Sequence, residues 1–374
     1  MARIAFFTLN AYDMLTGGSA GTAVGGAQLQ QILIGRELVR RGHDVTFVEY
    51  DDGDATDGTV DGIQVATKPR PAGSPPRRAH IAIRGTQRVL RDVDPDVCYR
   101  RVLNFEILPI AWCCSRRQSR FIYGIAHDDE MTDDPHMLAR GLKHTRVYRA
   151  VNDVALSSAA AVIAQNGTQA ELARERLATT VHTIPNCYPA ASADPVDWAY
   201  DPPVVFWAAR VVPIKRPDIV AELAHRLPEV TFVMAGGGDR DGLYGDILAQ
   251  SRSLPNLELL GHVPIAEIDR HFAAADLFLN TSDAEGFPNT FLQAWAQGTP
   301  VCSLRVDPDQ ILRRTGIGLV ADGSVDRLVK AISEIAEDAR YRERLGDRSR
   351  QYLETHHSVG AITDRYERVL VGTE

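Results

Sequence analysis

The stretch that most limits what this chain can fold into is Asp276–Val301. A short apolar run, Leu277 to Leu279, lies between polar Asp276 and Asn280, and a polar loop and an amphipathic segment follow it. Such a run reads as a buried strand. A helix is expected to start near Asn289, because Asn289 and Thr290 make a good N-cap pair and Phe291, Leu292, Trp295 and Ala296 then recur at helical spacing. The unit is therefore strand, loop, helix. In an open α/β sheet the loop at the carboxyl end of a strand is where ligands bind, and the N–H groups that open the next helix suit an anion such as phosphate. Glu285 is the only carboxylate in this loop after Asp283, and Gly286 beside it allows close approach to the main chain.

The same pattern recurs along the chain. Ile4–Thr8 reads as a strand, followed by a glycine-rich loop through Gly17, Gly18 and Gly21 to Gly25 and Gly26, a helix over Ala27–Arg41 closed by Gly42, and a strand over Asp44–Glu49. Further strands are expected at Ile63–Ala66, Val97–Tyr99, Phe121–Ile125, Ala161–Ala164 and Val181–Ile184, with helical patterns between them. Alternation of this kind gives a parallel sheet covered on both faces. A connector rich in Ala, Ser, Asp and Pro, Pro189–Pro203, precedes a second series of strands at Val204–Ala208, Thr231–Ala235, Leu257–Leu260 and Pro300–Ser303. A chain of 374 residues, 44% of them hydrophobic, can build two cores, since single cores stop growing at roughly 250–300 residues. The expected domains are residues 1–188 and 189–358, with a last helix in 359–374 crossing back to the first.

A net charge of −8 argues against general nucleic-acid binding. The opening Met1–Thr8 enters an apolar strand directly, with neither a signal-peptide core nor a membrane span, and a cytoplasmic enzyme is expected. Cys98, Cys113, Cys114, Cys187 and Cys302 are odd in number and lack metal-site spacing, so buried thiols are expected. Between Lys68 and Arg91 the chain is basic without a carboxylate, through Arg70, Arg77, Arg78, Arg84 and Arg88. That run reads either as a solvated face or as an attraction to an anionic membrane, such as the inner face of the cell membrane, or to a phosphate-bearing acceptor.

Glu285-Gly286-Phe287, the small-residue helix after it, and Arg210 and Lys215 five residues apart after the strand Val204–Ala208 resemble family 4 of the retaining glycosyltransferases. The resemblance implies a GT-B architecture, α/β, with two Rossmann-like doubly wound domains facing across a cleft. In that family a second glutamate follows the first after seven residues; here the position is Gln293. By this resemblance Arg210 and Lys215 meet the donor diphosphate, Glu285 meets the sugar, and Gly286, Phe287, Pro288, Asn289, Thr290 and Gln293 complete the donor site. Gly237, in the glycine turn Gly236–Gly238, approaches the donor, and His262 and Val263 cradle the base. In the first domain Gly25 and Gly26 touch donor phosphate or acceptor, and His127, which otherwise reads as a loop histidine capped by Asp128 or Asp129, contacts the sugar. Even without the resemblance, two cations after a strand suggest phosphate, although they also read as solvated charges.

The implied enzyme is a metal-independent, hexosyltransferase-type glycosyltransferase. It would move a sugar from a UDP- or GDP-sugar to a glycan, lipid-linked or small-molecule acceptor hydroxyl with retention, in glycan, glycolipid or polysaccharide biosynthesis. No other cofactor is expected, and the oligomeric state is open. A nicotinamide dehydrogenase would need a compact glycine fingerprint, and a secreted solute-binding protein a leader; a nonreactive relative of the same fold stays open. An amide at Gln293 offers one acceptor oxygen where a carboxylate would take both ribose hydroxyls, so Gln293→Glu is expected to tighten nucleotide binding by about 1 kcal/mol.

Overall fold

The computed structural model describes residues 1–17, 25–51, 55–132, 146–190, 193–198, 200, 203–238 and 242–373. The chain divides into two units, Met1–Cys187 with Val359–Glu374, and Tyr188–Ser358.

Unit 1 opens with β1 (Arg3–Phe6), α1 (Tyr12–Thr16), α2 (Gly26–Arg40), β2 (Asp44–Tyr50), β3 (Gly58–Val60) and β4 (Ile63–Lys68). It continues through α3 (Pro75–Val93), β5 (Val97–Arg101), α4 (Ile107–Arg117), β6 (Arg120–Gly124), α5 (Arg146–Ser157), β7 (Ala161–Ala164), α6 (Gly167–Arg176) and β8 (Val181–Thr183). The strand order is β3-β4-β2-β1-β5-β6-β7-β8, parallel throughout except for the edge pair β3–β4. The centre of the sheet is covered on both sides, and β5 and β7 are buried along their whole length, whereas β3 and β4 at one edge keep exposed residues. Two features depart from the sequence reading. The loop after β1 holds the short helix α1, and β3 adds an antiparallel edge. Gly18 to Gly21 of the glycine-rich loop lie outside the described residues.

Unit 2 repeats the plan with β9 (Val204–Ala208), α7 (Pro217–Arg226), β10 (Thr231–Ala235), α8 (Leu243–Ser251), β11 (Leu257–Gly261), α9 (Ile265–Ala274) and β12 (Leu277–Asn280). It ends with α10 (Asn289–Gln297), β13 (Val301–Ser303), α11 (Ile311–Thr315), β14 (Gly318–Val320), α12 (Val325–Glu337) and α13 (Ala339–His356). Its all-parallel sheet has the order β11-β10-β9-β12-β13-β14. The last helix, α14 (Val359–Val371), belongs to unit 1, where Ile362, Tyr366, Val369 and Leu370 are buried. Tyr366 meets the Tyr99 ring edge-on at 5.9 Å, and Arg41 on the end of α2 forms ion pairs with Asp364 at 2.5 Å and Glu367 at 2.8 Å. All five cysteines are free and buried.

The basic run needs one correction. Lys68 does not belong to a surface stripe: its side chain is fully buried, with its ammonium 2.7 Å from Glu106 and 3.1 Å from the Thr86 hydroxyl. Glu106 also accepts from the Tyr50 hydroxyl at 3.0 Å. Lys68 closes β4, so strand alternation turns it under α3 while the arginines of α3 face outward. Burial pushes its ammonium below the ordinary lysine range, and Glu106 opposes that shift. Removing one member of such a pair leaves an uncompensated buried charge. Lys68→Met should therefore cost about 3–5 kcal/mol and lower the melting temperature by roughly 10 °C, and adding Glu106→Gln should restore more than half of the loss in thermal denaturation.

Candidate active site

In unit 2 the chain leaves β9 toward β10 on one side and later returns to place β12 on the other, so β9 and β12 flank the point where the strand order reverses. Helices that follow two such strands run to opposite faces, which opens a crevice at their carboxyl ends. The loops there carry Arg210 and Lys215 after β9, and Glu285 after β12.

These two loops are fastened together from the main chain upward. Asp283 donates its N–H to the Ile214 carbonyl at 2.9 Å, and the Thr281 hydroxyl donates to the Lys215 carbonyl at 2.6 Å while accepting from Trp207 Nε1 at 2.9 Å. On that frame Lys215 Nζ forms an ion pair with Glu285 Oε1, which also accepts from Ser282 Oγ at 2.8 Å. The pair is largely shielded, at 18% and 16% side-chain exposure. Arg210 is exposed, and among the described residues its guanidinium has no ion-pair partner. Arg216, the neighbouring cation, adopts a left-handed conformation at φ 47°, binds Asp218 at 2.8 Å and lies 3.7 Å from Asp283, which fixes the start of α7. Lys215 and Glu285 thus meet at the reversal point, with exposed Arg210 on the same β9 loop, a charge set suited to a diphosphate joined to a polyhydroxyl group.

The neighbouring loops after β10 and β11 join the same edge. Gly236 donates to the Gly261 carbonyl at 2.7 Å, and Val211 to the Gly237 carbonyl at 3.3 Å. A Cβ on Gly236 would stand 2.1 Å from the Ala209 carbonyl oxygen, so only glycine fits. Gly237 faces His262, with 3.4 Å from a Cβ position to the histidine Cβ; His262 is exposed and Val263 half-buried. Asp239 and Arg240, which follow the glycine turn, lie outside the described residues.

At α10 the N-cap is Pro288, without a side-chain cap, and not Asn289, which is the first helical residue. The reason is steric: Pro288 holds an extended backbone at φ −66° and ψ 119°, so the helix turns only after it. Gly286, Phe287 and Pro288 are buried, Asn289 and Thr290 half-buried. The Phe287 ring packs 5.1 Å from His357 and 6.4 Å from Trp295. Gln293 is 4% exposed, and its Nε2 makes long contacts of 3.4 Å to the Tyr188 hydroxyl and 3.5 Å to Asp269 Oδ1. Tyr188 in turn donates to Asp269, 2.8 Å from Oδ2. Burial raises the Asp269 carboxyl above its ordinary range, against the lowering effect of these hydrogen bonds.

Unit 1 places its own residues at the carboxyl edge of its sheet. Gly25 is the N-cap of α2 and Gly26 its first residue. His127, exposed and extended at φ −138°, follows β6. Asp128 accepts from Gln169 at 2.7 Å. Beneath lies Glu130, buried, accepting from Tyr123 at 2.6 Å and from the Ala126 and Leu103 N–H groups at 3.0 and 3.1 Å, its carboxyl raised by burial. Glu49, placed where a dehydrogenase would hold a ribose, is buried and takes the Thr8 hydroxyl and the Ala11 N–H at 3.0 Å; burial pushes its carboxyl up to about 7. Sequence reasoning missed Ser282, Tyr188, Asp269 and Glu130. Ser282 had a signal, a short hydroxyl three residues before Glu285; the others are joined to the site only by the fold.

Residues 25–187 match the family described as glycosyl transferase 4-like domain, and residues 202–338 that of glycosyl transferases group 1. A lipopolysaccharide core biosynthesis glycosyltransferase, LpsE, of Rhizobium meliloti is 35% identical over 182 residues, 47% of this chain and 52% of that protein. A D-inositol 3-phosphate glycosyltransferase of Mycobacterium bovis is 33% identical over 145 residues, 36% of this chain and 30% of that protein. The chain thus spans about half of the first relative's length and less of the second's. In three dimensions it is similar to a sucrose-phosphate synthase from Thermosynechococcus elongatus, with a TM-score of 0.80 at 16% identity over 100% of both chains. That likeness gives the GT-B fold, two Rossmann-like α/β domains.

The environment of Gln293 changes what a carboxylate would do there. Gln293→Glu would set a second carboxylate beside buried Asp269, and two carboxyls in one site resist ionising together. The variant should lose about 1–2 kcal/mol at neutral pH. Groups whose carboxyls are raised in the fold give stability that is present at low pH and lost as pH rises. The deficit should therefore shrink as the pH falls from 8 toward the ordinary carboxylate value of about 4, measured by urea denaturation across that range.

Proposed function

We propose, from the premise that this chain is a GT-B-fold glycosyltransferase with a 4-like domain followed by a group 1 domain, that it transfers a hexose from a UDP- or GDP-sugar to an acceptor hydroxyl with retention of anomeric configuration. The observation that carries this reading is the Lys215–Glu285 pair at the reversal point of the unit 2 sheet, on the loop that also carries Arg210. Arg210 and Lys215 stabilise the charge that grows on the leaving diphosphate, an electrostatic task that usually supplies the largest share of catalysis. Because these cations take that task, the reaction is read as independent of a metal. Glu285 hydrogen-bonds sugar hydroxyls and supports positive character at the anomeric carbon, held in orientation by Ser282.

Gln293 commits Nε2 to Tyr188 and Asp269, which leaves Oε1 as the atom to accept a ribose hydroxyl. Gly237, His262 and Val263 border the base through the main chain, and Gly286 to Thr290 lie against the diphosphate and sugar. In unit 1 the reading gives His127 a contact with the transferred sugar, and Gly25 and Gly26 contacts with donor phosphate or acceptor. The acceptor class follows the relatives named for lipopolysaccharide core and inositol phosphate: a hydroxyl of a saccharide, a lipid-linked saccharide or a polyol.

Arg210→Ala and Lys215→Ala should each slow transfer by about a hundredfold, the scale of losing one preorganised contact to developing charge. Glu285→Gln should depress turnover while nucleotide affinity by calorimetry stays near native, since its contact is with the sugar. Turnover unaltered in all three variants, with a panel of nucleotide sugars, would sink the assignment. A chelator in the same assay should leave the rate unchanged.

A further inference from the structure

One cluster of positive charge in unit 1 stands at the edge of its sheet opposite to Gly25 and His127. Helices α3 and α4 pack together and both end just before their strands begin, at Val97 and Arg120, which sets their carboxyl ends at the amino edge of the sheet. Between them a recess of about 270 Å3 is lined by Gln87, Arg91, Cys113, Arg116 and Arg117. Arg91 stands in the last turn of α3, and Arg116 and Arg117 in the last turn of α4. A cation in a last turn complements the helix dipole and contributes about 0.3–1 kcal/mol. That effect accounts for an arginine at each helix end. It does not account for three guanidinium groups bordering one concavity, where they repel each other unless an anion enters.

The surroundings sharpen the point. Among the described residues no carboxylate lines the recess; Asp94, 3.7 Å from Arg117, is already held by Arg3 at 2.7 Å. Cys113 adds no competing charge, since burial pushes its thiol up to about 11. Outside the recess, exposed Arg84 and Arg88 continue the positive face along α3. Trp112, 40% exposed, carries the Arg116 guanidinium 5.2 Å from its ring centre, which holds that side chain at the rim. On a chain of net charge −8 this is a local reversal of sign.

The geometry points to a phosphate-binding recess formed by Arg91, Arg116, Arg117 and Gln87, taking a phosphate monoester either free in solution or on a lipid headgroup. Guanidinium forks match phosphate oxygens two at a time, and the Gln87 amide adds a neutral donor. This inference is independent of the donor-site reading, because the recess lies in unit 1 and at the amino edge of its sheet.

Inorganic phosphate also has a claim on Arg210 and Lys215, so binding is read in the full chain carrying Arg210→Ala and Lys215→Ala. Calorimetry with inorganic phosphate at low salt, and co-sedimentation with phosphatidylcholine vesicles with and without phosphatidic acid, give the two arms. Adding Arg116→Gln and Arg117→Gln should weaken phosphate or phosphatidic-acid binding by about tenfold or more, with unchanged melting temperature and circular dichroism. Arg91→Gln alone supplies the same readout if the double substitution unfolds the chain. Uptake of phosphate in solution assigns a free ligand, and binding to phosphatidic-acid vesicles alone assigns the headgroup. No binding in either arm, or binding equal in the recess variants, overturns the proposal.

Discussion

The parallel sheet of unit 2 is the constraint on which its site depends. Parallel strands deliver all their carboxyl ends to one edge, and a reversal of order between β9 and β12 leaves two loops there that no helix covers in common. Loops so placed would splay apart if only charge joined them. Here the main chain does the joining first, through Asp283 to Ile214 and Thr281 to Lys215, and the Lys215–Glu285 pair is laid over a frame already fixed. A carboxylate held beside a cation and a serine hydroxyl loses little freedom when a polar ligand arrives. That is preorganisation in the sense that matters for stabilising charge.

Beneath the exposed residues of both units lies a second layer of buried polar groups that holds the loops in place. Glu49 stands next to the end of β2, where a ribose ligand could be imagined, yet its carboxyl is spent on Thr8 and the Ala11 N–H, which shapes the loop after β1. Glu130 supports the turn after His127 through Tyr123, Ala126 and Leu103. Asp269 fastens Tyr188, the first residue of unit 2, and reaches Gln293 on α10. In each case burial raises the carboxyl, and hydrogen bonds from neighbouring side chains or main-chain N–H groups offset the rise. Charge in a low-dielectric interior is tolerated only where such partners converge.

The positive face of unit 1 divides along the same line. Strand alternation sends Lys68 inward to Glu106, whereas the exposed side of α3 keeps Arg84, Arg88 and Arg91 in solvent and brings the last of these beside Arg116 and Arg117. A run that is uniform in sequence is thus two different things in space, one an internal ion pair and the other a surface cluster.

The sequence by itself determined the layers: unbroken apolar runs such as Val204–Ala208 and Leu277–Leu279, short and bounded by polar residues, read as strands covered on both faces, and Gly42 and Pro217 mark helix boundaries by backbone sterics alone. It also brought Arg210, Lys215 and Glu285 to attention, because each follows such a strand. What it could not contain is the strand order, since register and adjacency in a parallel sheet are set by packing between segments far apart in the chain. Only that order puts the β9 and β12 loops side by side and lets Lys215 meet Glu285 across seventy residues. The same holds for Gln293. Its helix was legible from periodicity, but its partners Tyr188 and Asp269 come from distant segments, and burial, a property of the folded whole, decides which of its atoms is left to a ligand.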